Sequence, residues 1–582
     1  MVPSNNCKQT SAGHIAAGKL RWSLIALAVT GLLFPMAAQA QSIAPSQVTP
    51  REIAPPPAPP TVAPLATPDR RTADAIPGGD IAFTAGDVVI EGGFLEMAAA
   101  NADFIKSTAQ HHLTVSELFA AAGALEQAYA RAGYILARVT IPAQRLGSDG
   151  PVRVVVTDGY IESIDAGHLP ASIRTAALAR LHPLLNRRHV TQDQIERRLL
   201  LAGNLGGLSL RSALAKGTAV GGARLVLDGA VQTASARVAT DNALPASLGR
   251  WQVSGSLALN NLLGAGEQFY VTAGSEIDVS RYGQSDGPLS MLGGGVVLPL
   301  GSDGATLTAE YLHSRTHTAA SPGLPAAKGD FSRAALRLAY PLILTRSESL
   351  NLNATVDRIT QTLSLPDFAL QLNRDRYTAV RLGLNWQRHD GPVPYSAAIT
   401  FSQGISGRNE TPVLPLSRQG ASSTFSHLDG IFRTSLPIRD GFRLEMTLRG
   451  QTGFGSPQLL SEQFAIDAEN GVSAFAAGSL NVDSGATLRG ELQMPAAVLL
   501  KKLEIAPYLF AAGGAGSLEQ PTVVEPGHLR AAALGFGARV ALGNPPGRGP
   551  SASLGFEFGH GFSSDPFRGG GDRASITASV QF

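Results

Sequence analysis

From about residue 231 to its last residue the chain is written in segments of roughly ten residues, apolar and polar positions alternating, with Gly-, Asp- and Pro-rich breaks between them. Period-two alternation is the pattern of strands with one apolar and one wet face. In Arg250–Asn261, Trp251, Val253, Leu257 and Leu259 share one face and Arg250, Gln252, Ser254 and Ser256 the other. Leu350, Leu352, Ala354 and Val356 oppose Asn351, Asn353, Thr355 and Asp357. Phe442, Leu444, Met446 and Leu448 oppose Arg443, Glu445, Thr447 and Arg449, and Leu488 and Leu492 oppose Arg489, Glu491 and Gln493. About sixteen strands are predicted, starting near 231, 250, 266, 288, 305, 331, 348, 376, 395, 424, 441, 484, 503, 531, 551 and 573. The one near 288 is the weakest, because Gly293, Gly294 and Gly295 interrupt it.

Residues 80–230 carry a different rhythm. Ile81 to Ile90 reads as a strand, Leu95–Thr108 as a first helix, and Thr114-x-x-Glu117 as a capping box that opens a helix through Arg131. Leu118, Phe119, Leu125 and Tyr129 are its core-facing candidates, and Gly133 closes it. Strands Ile135–Ile141 and Val152–Ile164 follow, joined by a turn at Gly147–Gly150. A looser copy comes next: helix-like Ala171–Leu185, a second capping box at Thr191-x-x-Gln194 with a helix through Leu201, then strands Leu208–Leu214 and Ala223–Leu227. The expected division is 80–167 for one α/β module, 168–230 for a second, and 231–582 for the strand-rich part.

The N-terminal stretch adds a route and a tether. Lys8, Lys19 and Arg21 precede an apolar run from Trp22 to Phe34, and Ala38-Gln39-Ala40 precedes Gln41, so residues 1–40 read as an export signal cleaved between Ala40 and Gln41. Residues 41–79 hold ten prolines, from Pro45 to Pro77, which oppose a helix and favour an extended linker. Cys7 is the only cysteine and lies in the signal, so the mature chain has no thiol nucleophile, zinc–cysteine site or disulfide. The net charge of +2, less the three signal cations, leaves −1, which gives no support to a nucleic-acid partner.

No stretch after the signal is long and apolar enough for a transmembrane helix. A soluble sandwich also alternates; the export signal and the short-then-long spacing of the breaks favour a transmembrane barrel, closed so that no backbone group is left unpaired in lipid. The final strand alternates Ala574, Ile576, Ala578, Val580 and Phe582 with Ser575, Thr577, Ser579 and Gln581. A terminal aromatic on such a strand is a barrel-assembly signal, with Phe582 in that role. An even strand count would put both barrel ends beside the α/β modules.

The order of parts resembles the two-partner secretion transporters of the ShlB/FhaC/HecB haemolysin secretion/activation type, in the Omp85 superfamily. The run Tyr129-x-x-x-Gly133-Tyr134-Ile135-x-Ala137-Arg138-Val139-x-Ile141-Pro142-x-Gln144, with Gly159-Tyr160-Ile161-Glu162, looks like the family's first polypeptide-transport-associated (POTRA) module. Asp241-Asn242 and Glu491-Leu492 are weaker matches in the barrel. The resemblance implies two POTRA modules before a barrel of about sixteen strands in the outer membrane, with the modules in the periplasm. It also implies an unfolded exported protein as partner, captured at positions such as Tyr134, Arg138, Ile141, Gln144 and Tyr160. Outer-membrane lipid, and the barrel-assembly machinery during biogenesis, complete the expected partners of a monomeric barrel.

Transporters of this type carry a Val-Arg-Gly-Tyr/Phe loop whose Arg meets an Asp of a wall sequence Phe-x-Asp-x-Gly. Here the loop position reads Val472-Ser473-Ala474-Phe475 and the wall position Phe510, Ala512 and Gly514, so both partners of that ion pair are missing. The expectation is a loop held by packing and backbone contacts, and a pore with no ordered helix from 41–79 in its lumen. The inward charges, Arg250, Arg333, Arg337, Arg381, Arg443, Glu445, Arg449, Arg489 and Glu491, are read as lumen-lining. No phosphate-binding loop or His-Glu-x-x-His is present, so neither enzymatic activity nor a cofactor is expected. His111-His112 reads as solvated loop. The alternatives are an assembly factor for membrane barrels, from the same superfamily, and a diffusion channel.

Overall fold

The computed structural model describes residues 44–582 except 51–52, 54, 56–60, 66–77, 148–149, 285–286, 321–324, 390, 392, 408–414, 468, 500–502, 524, 544–549 and 566–568. The expected signal and its cleavage position at Ala40–Gln41 lie outside the described residues.

Among the described residues, sixteen antiparallel strands close into one barrel. They are β1 Ala234–Asp241, β2 Gln252–Asn260, β3 Gln268–Glu276, β4 Leu289–Leu300, β5 Ala305–Thr318, β6 Ala327–Leu344, β7 Glu348–Leu365 and β8 Leu370–Arg388. Then come β9 Tyr395–Gly407, β10 Ser426–Pro437, β11 Arg443–Thr452, β12 Ser484–Gln493, β13 Leu503–Ser517, β14 His528–Gly543, β15 Ser551–Ser563 and β16 Gly570–Gln581. Ala497–Leu499 continues β12 and pairs with the same neighbour, β13. Each strand pairs with the next, and β16 returns to β1 with Arg237 opposite Gln581 and Asp241 opposite Thr577. Phe582 extends that seam, exchanging backbone bonds with Ala236 at 3.2 and 2.9 Å. Asn242 fastens its other end, donating to Ala574 O at 2.8 Å and accepting from Ile576 N at 2.9 Å.

Closure sorts the alternation into two surfaces. Leu336, Leu338, Val356, Leu382 and Phe536 stand 45–55% exposed on the outside, while Arg333, Asp357 and Arg489 are buried within. So large an apolar exterior would be a liability in water and matches a bilayer. The glycines of β4 do not break it. A Cβ on Gly295 would lie 2.7 Å from the Tyr270 hydroxyl, and one on Gly293 would lie 2.7 Å from Ile53 Cδ1. They leave room for side chains that fill the interior.

The α/β part holds two units of one topology. In the first, Val152–Thr157 is the central strand, parallel to Val88–Glu91 and antiparallel to Arg138–Thr140, with helices Ala98–Thr108 and Val115–Arg131. In the second, Gly222–Val231 is central, parallel to Tyr160–His168 and antiparallel to Leu208–Lys216, with helices Ala171–Leu181 and Gln192–Gly203. Both therefore run β-α-α-β-β. The predicted single strand Val152–Ile164 is divided at Asp158–Gly159, its halves joining different sheets, so the second unit begins at Tyr160 and not after 167. The backbone passes too close for a side chain there: a Cβ on Gly159 would meet Leu136 O at 2.1 Å. The predicted strand Ile81–Ile90 likewise divides, Ala82–Thr84 pairing with His112–Thr114 and Val88–Glu91 entering the main sheet.

The capping box forms in full: Glu117 N donates to Thr114 Oγ1 at 3.2 Å and Thr114 N to Glu117 Oε2 at 2.7 Å. At Thr191 only the forward half forms, from Gln194 N at 3.4 Å. Leu118, Ala122, Leu125 and Tyr129 are the buried stripe, spaced three and four apart. Phe119 is a correction: one residue, and so about 100° of helix, past Leu118, it is 39% exposed.

The linker supplies the larger correction. Pro45–Val48 is one turn of α-helix seated in the barrel interior, so a lumen without an ordered helix from 41–79 is overturned. Proline at a helix start forfeits no internal hydrogen bond, and tertiary contacts do the rest. Gln47 Oε1 accepts from Ala44 N at 3.1 Å, and Thr49 Oγ1 donates to Ser314 Oγ of β5 at 2.8 Å. Pro45 fits over Gly329, and Val48 packs with Leu244, Leu248 and Leu289. No described helix is long and apolar enough to cross a membrane.

Candidate functional site

The barrel interior is held by wall charges, by the helix Pro45–Val48 and by the segment 453–483, which connects β11 to β12 and folds inward. The stem of that segment is fixed by Glu462. Arg381 of β8 grips its carboxylate with two bonds of 2.8 and 2.9 Å, and the Tyr377 hydroxyl adds a third at 2.5 Å. Arg381 Nε also reaches Asp357 at 2.9 Å, Asp357 accepts from Arg333 at 3.1 Å, and Arg333 reaches Glu310 at 2.6 Å. A ribbon of paired charges thus crosses β5 to β8 and ends on the segment. Arg449 of β11 supports it from the other side, donating to Ala465 O at 3.1 Å over the Phe464 ring.

The tip, Val472–Phe475, is seated against β12 to β15. Val472 is fully buried, and Ala474 and Phe475 fill the space a Cβ on Gly561 would take. Ser473 Oγ donates to Glu557 at 2.5 Å and accepts from Arg489 Nη1 at 2.7 Å. Arg489 also bonds Glu557 at 2.5 Å and Glu491 at 2.8 Å, and its guanidinium lies 4.1 Å above the Phe510 ring. Glu557 takes a further bond of 2.8 Å from the Tyr508 hydroxyl, and Glu491 one of 2.6 Å from Arg539.

The expectation of a tip held by packing and backbone alone is therefore corrected. The loop arginine and wall aspartate are indeed absent, yet a cation and carboxylates meet at the same place, all supplied by the wall. Ala512 stands directly across the strand pair from Arg489, and Gly514 admits Ile466 of the inward segment. A hydroxyl on the loop then suffices to join the pair. Glu462, Tyr377, Glu557, Tyr508 and Arg539 were not singled out from the sequence. For the four on strands the only signal there was polarity on an inward-facing register, and Glu462, in the inward segment, had none.

Other predicted lumen positions divide. Arg337 approaches Glu310 at 3.6 Å, and Glu445 accepts from Ser435 at 3.3 Å. Arg443 is exposed at the start of β11 and bonds Ser435. Arg250 is a correction: it lies in the segment ahead of β2 with φ 67°, exposed, and not on an inward strand face. The helix, the segment and the wall leave a cavity of about 360 Å³ between Ser46, Thr49, Arg333, Asp357, Arg381 and Glu462.

The five expected partner-binding residues are engaged within the α/β units. Tyr134 packs edge-on to Phe94, at 5.0 Å between centroids. Arg138 pairs with Glu126 at 3.2 Å, and Ile141 packs on the first core. Gln144 exchanges two bonds of 2.8 Å with the backbone of Arg153, continuing the sheet where Arg138–Thr140 has ended. Tyr160, in the second unit, lies 3.9 Å beneath the Arg188 guanidinium.

The model of the haemolysin secretion/activation protein ShlB/FhaC/HecB matches residues 226–540, and that of the POTRA domain, ShlB-type, matches 83–159. The outer membrane transporter CdiB of Escherichia coli is 25% identical over 199 residues, 34% of this chain and 33% of that one. The match thus spans about a third of that relative's length. The solved structure of CdiB from Escherichia coli superposes with a TM-score of 0.65 at 20% identity, covering 89% of this chain and 94% of the other. That of CdiB from Acinetobacter baumannii gives 0.58 at 14%, with the same coverage. At these identities the likeness speaks to the fold.

Proposed function

The chain belongs to the haemolysin secretion/activation family ShlB/FhaC/HecB, and from that premise we propose that it is an outer-membrane pore that secretes an unfolded exported partner protein. The observation that carries this reading is a closed barrel with an apolar exterior and a charged interior, its bore occupied by a short helix and an inward-folded segment of the same chain. The bore is lined with paired charges, which can exchange partners with a passing polypeptide without trapping it.

In this reading the α/β units lie in the periplasm, because β1 and β16 enter and leave the barrel beside them. Strand addition to an exposed sheet edge gives affinity through the backbone with modest sequence demands, as suits an unfolded client. No chemistry is required of any residue. Transport is passive channelling, drawn onward by folding of the partner outside, and the protein is not an enzyme. The barrel works as a monomer, and its last strand, ending in Phe582, is read by the barrel-assembly machinery during biogenesis.

The test is secretion. A strain lacking this gene, complemented with the wild-type chain, is expected to release into the medium a large exported protein that the uncomplemented strain retains. Equal release from both strains defeats the proposal.

A further inference from the structure

The outward face of the barrel is not the same all the way round. On β10 to β13 the described outward positions are all uncharged, Phe432, Leu448, Leu488 and Leu509 among them. On β5 to β8 the apolar band stops at a sharp line. Its last row is Ala309, Leu336, Val356 and Val380, each directly opposite the next. The next outward row is Tyr311, Ala334, Arg358 and Thr378. Beyond it come His313, Ser332, Thr360 and Arg376, and then Arg315, Asp330, Thr362 and Arg374. Within two residues along each strand the outer surface changes from hydrocarbon to cations and hydroxyls.

These rows lie at the end of the barrel away from the α/β units. The near end is marked by Arg198, which bonds Asp303 in the turn before β5 at 2.8 Å, and by Arg346, in the turn after β6, which approaches Glu196 at 3.6 Å. With the units in the periplasm, the cationic rows stand at the headgroup level of the outer leaflet.

At one side of the patch the chain neutralises itself: Asp330 is approached by Arg315 at 3.4 Å and by His313 at 3.8 Å. On the outward face of β15 and β16, His560 is likewise matched by Asp572 at 2.6 Å. Arg358, Arg374 and Arg376 are treated differently. All three are exposed, and among the described residues none has an ion-pair partner. Arg358 donates to the Thr378 hydroxyl at 3.5 Å. Neighbouring strands lie about 4.8 Å apart and residues two apart on one strand about 7 Å, so the three guanidiniums are close enough to share one anion. Guanidinium matches phosphate with paired hydrogen bonds.

Below the cations the wall is hollowed. Gly294 and Ala334 flank Tyr311 in its row, and their small size leaves a groove of about 640 Å³ between Phe269, Val296, Tyr311, Leu336, Val356 and Arg358. Its walls are apolar and a guanidinium stands at its mouth, which is the polarity of a lipid's own boundary between chain and headgroup. We propose that the outward face of β5 to β8 is a binding site for a phosphorylated glycolipid of the outer leaflet, with a phosphate on Arg358, Arg374 and Arg376 and an acyl chain in the groove beside Tyr311. Ser332, Thr360, Thr362 and Thr378 interleave the cations and offer hydroxyls to a sugar, which favours a glycolipid over a glycerophospholipid. The inference rests on the outer-membrane reading above and names the lipid that one sector of the barrel selects.

The test uses the full chain, delipidated in detergent, with bisphosphorylated lipid A as probe. Wild type is expected to bind it about tenfold more tightly than dephosphorylated lipid A or phosphatidylglycerol. Equal binding of phosphatidylglycerol overturns the glycolipid, and release of the lipid by inorganic phosphate alone overturns a lipid site in favour of a bare anion site. Arg358→Gln, Arg374→Gln and Arg376→Gln together are expected to weaken lipid A binding about tenfold, and the three Lys substitutions to keep most of it. Arg376→Gln alone, the milder change should the triple variant fail to fold, is expected to weaken it about threefold. Ala334→Trp fills the groove, leaves every cation in place and is expected to weaken binding about fivefold. Binding indifferent to the arginine changes overturns the proposal. Secretion measured alongside separates the two readings. A wild type that secretes but binds lipid A independently of these arginines loses this site and keeps the pore; one that binds through them yet secretes nothing loses the pore alone.

Discussion

At Ser473 a small side chain stands between two large charges, and its energetics are lopsided. Arg489 is 4% exposed and answers Glu557, Glu491 and Ser473 together. Removing one member of a buried ionic set strands the others and costs about 3–5 kcal/mol, whereas losing one neutral hydrogen bond costs about 1 kcal/mol. Arg489→Ala is therefore expected to free the loop tip and raise single-channel conductance in planar bilayers, with Ser473→Ala giving a much smaller rise. Ser473→Arg alone places a second guanidinium beside Arg489 and loosens the tip. Adding Ala512→Asp, opposite Arg489, gives that cation a new partner and returns both conductance and secretion to near wild type; a large gain in secretion from the double change would refute this account. Outside the barrel, Glu162 makes a simpler case. The Thr218 hydroxyl, then the Ala219 N–H, hold its carboxyl below the usual 4.5. A depressed folded value means stabilisation that is present above that pH and lost as pH falls through the folded value. Glu162→Gln should lower the thermal midpoint at pH 7, and the gap from wild type should close below pH 4.5.

Elements in this chain are held either by their own pattern or by what they touch, and that distinction decides which were readable. Helix Val115–Arg131 is of the first kind. Thr114→Ala removes the side chain that caps Glu117 N, and about 1 kcal/mol of stability should go with it, seen as an earlier unfolding transition of the first unit in denaturant. Its cap, its closing Gly133 and three of its four stripe residues were legible in the sequence, Phe119 having been taken where Ala122 belongs, as was the barrel, because lipid and water demand alternate residues: Leu352 and Val356 outward, Thr355 and Asp357 inward. The division at Gly159 was missed, although the buried Val156 and Ile161 lie five residues apart and so cannot share one face of a single strand. Pro45–Val48 is too short to show a period, and its partners Ser314 and Gly329 lie more than 260 residues away. The tip contact was half legible. Inward charge at Arg489 and Glu491 follows from strand parity, but only the register that sets Arg489 against Ala512, and the fold-back that brings Ser473 to them, reveals the pairing.

Across the whole molecule the bore is closed by two obstacles with different anchors, which makes their contributions separable. The N-terminal helix is fastened to the wall by the bond from Thr49 to Ser314 and by apolar packing. The inward segment is held at its stem by Arg381 and Tyr377 on Glu462, and at its tip by the Arg489 set. Deleting residues 44–53 should therefore open a small, steady conductance, because water and ions gain the helix's volume while the segment stays put. Glu462→Ala alone should do less, since the helix still stands in the bore and the tip remains fastened. With both changes the wall keeps Arg333, Asp357 and Arg381 paired among themselves while the stem is released, and a conductance larger than the two single effects added together is expected in planar bilayers. Simple additivity would mean that the helix and the segment block separate paths, and that the barrel does not share one bore between them.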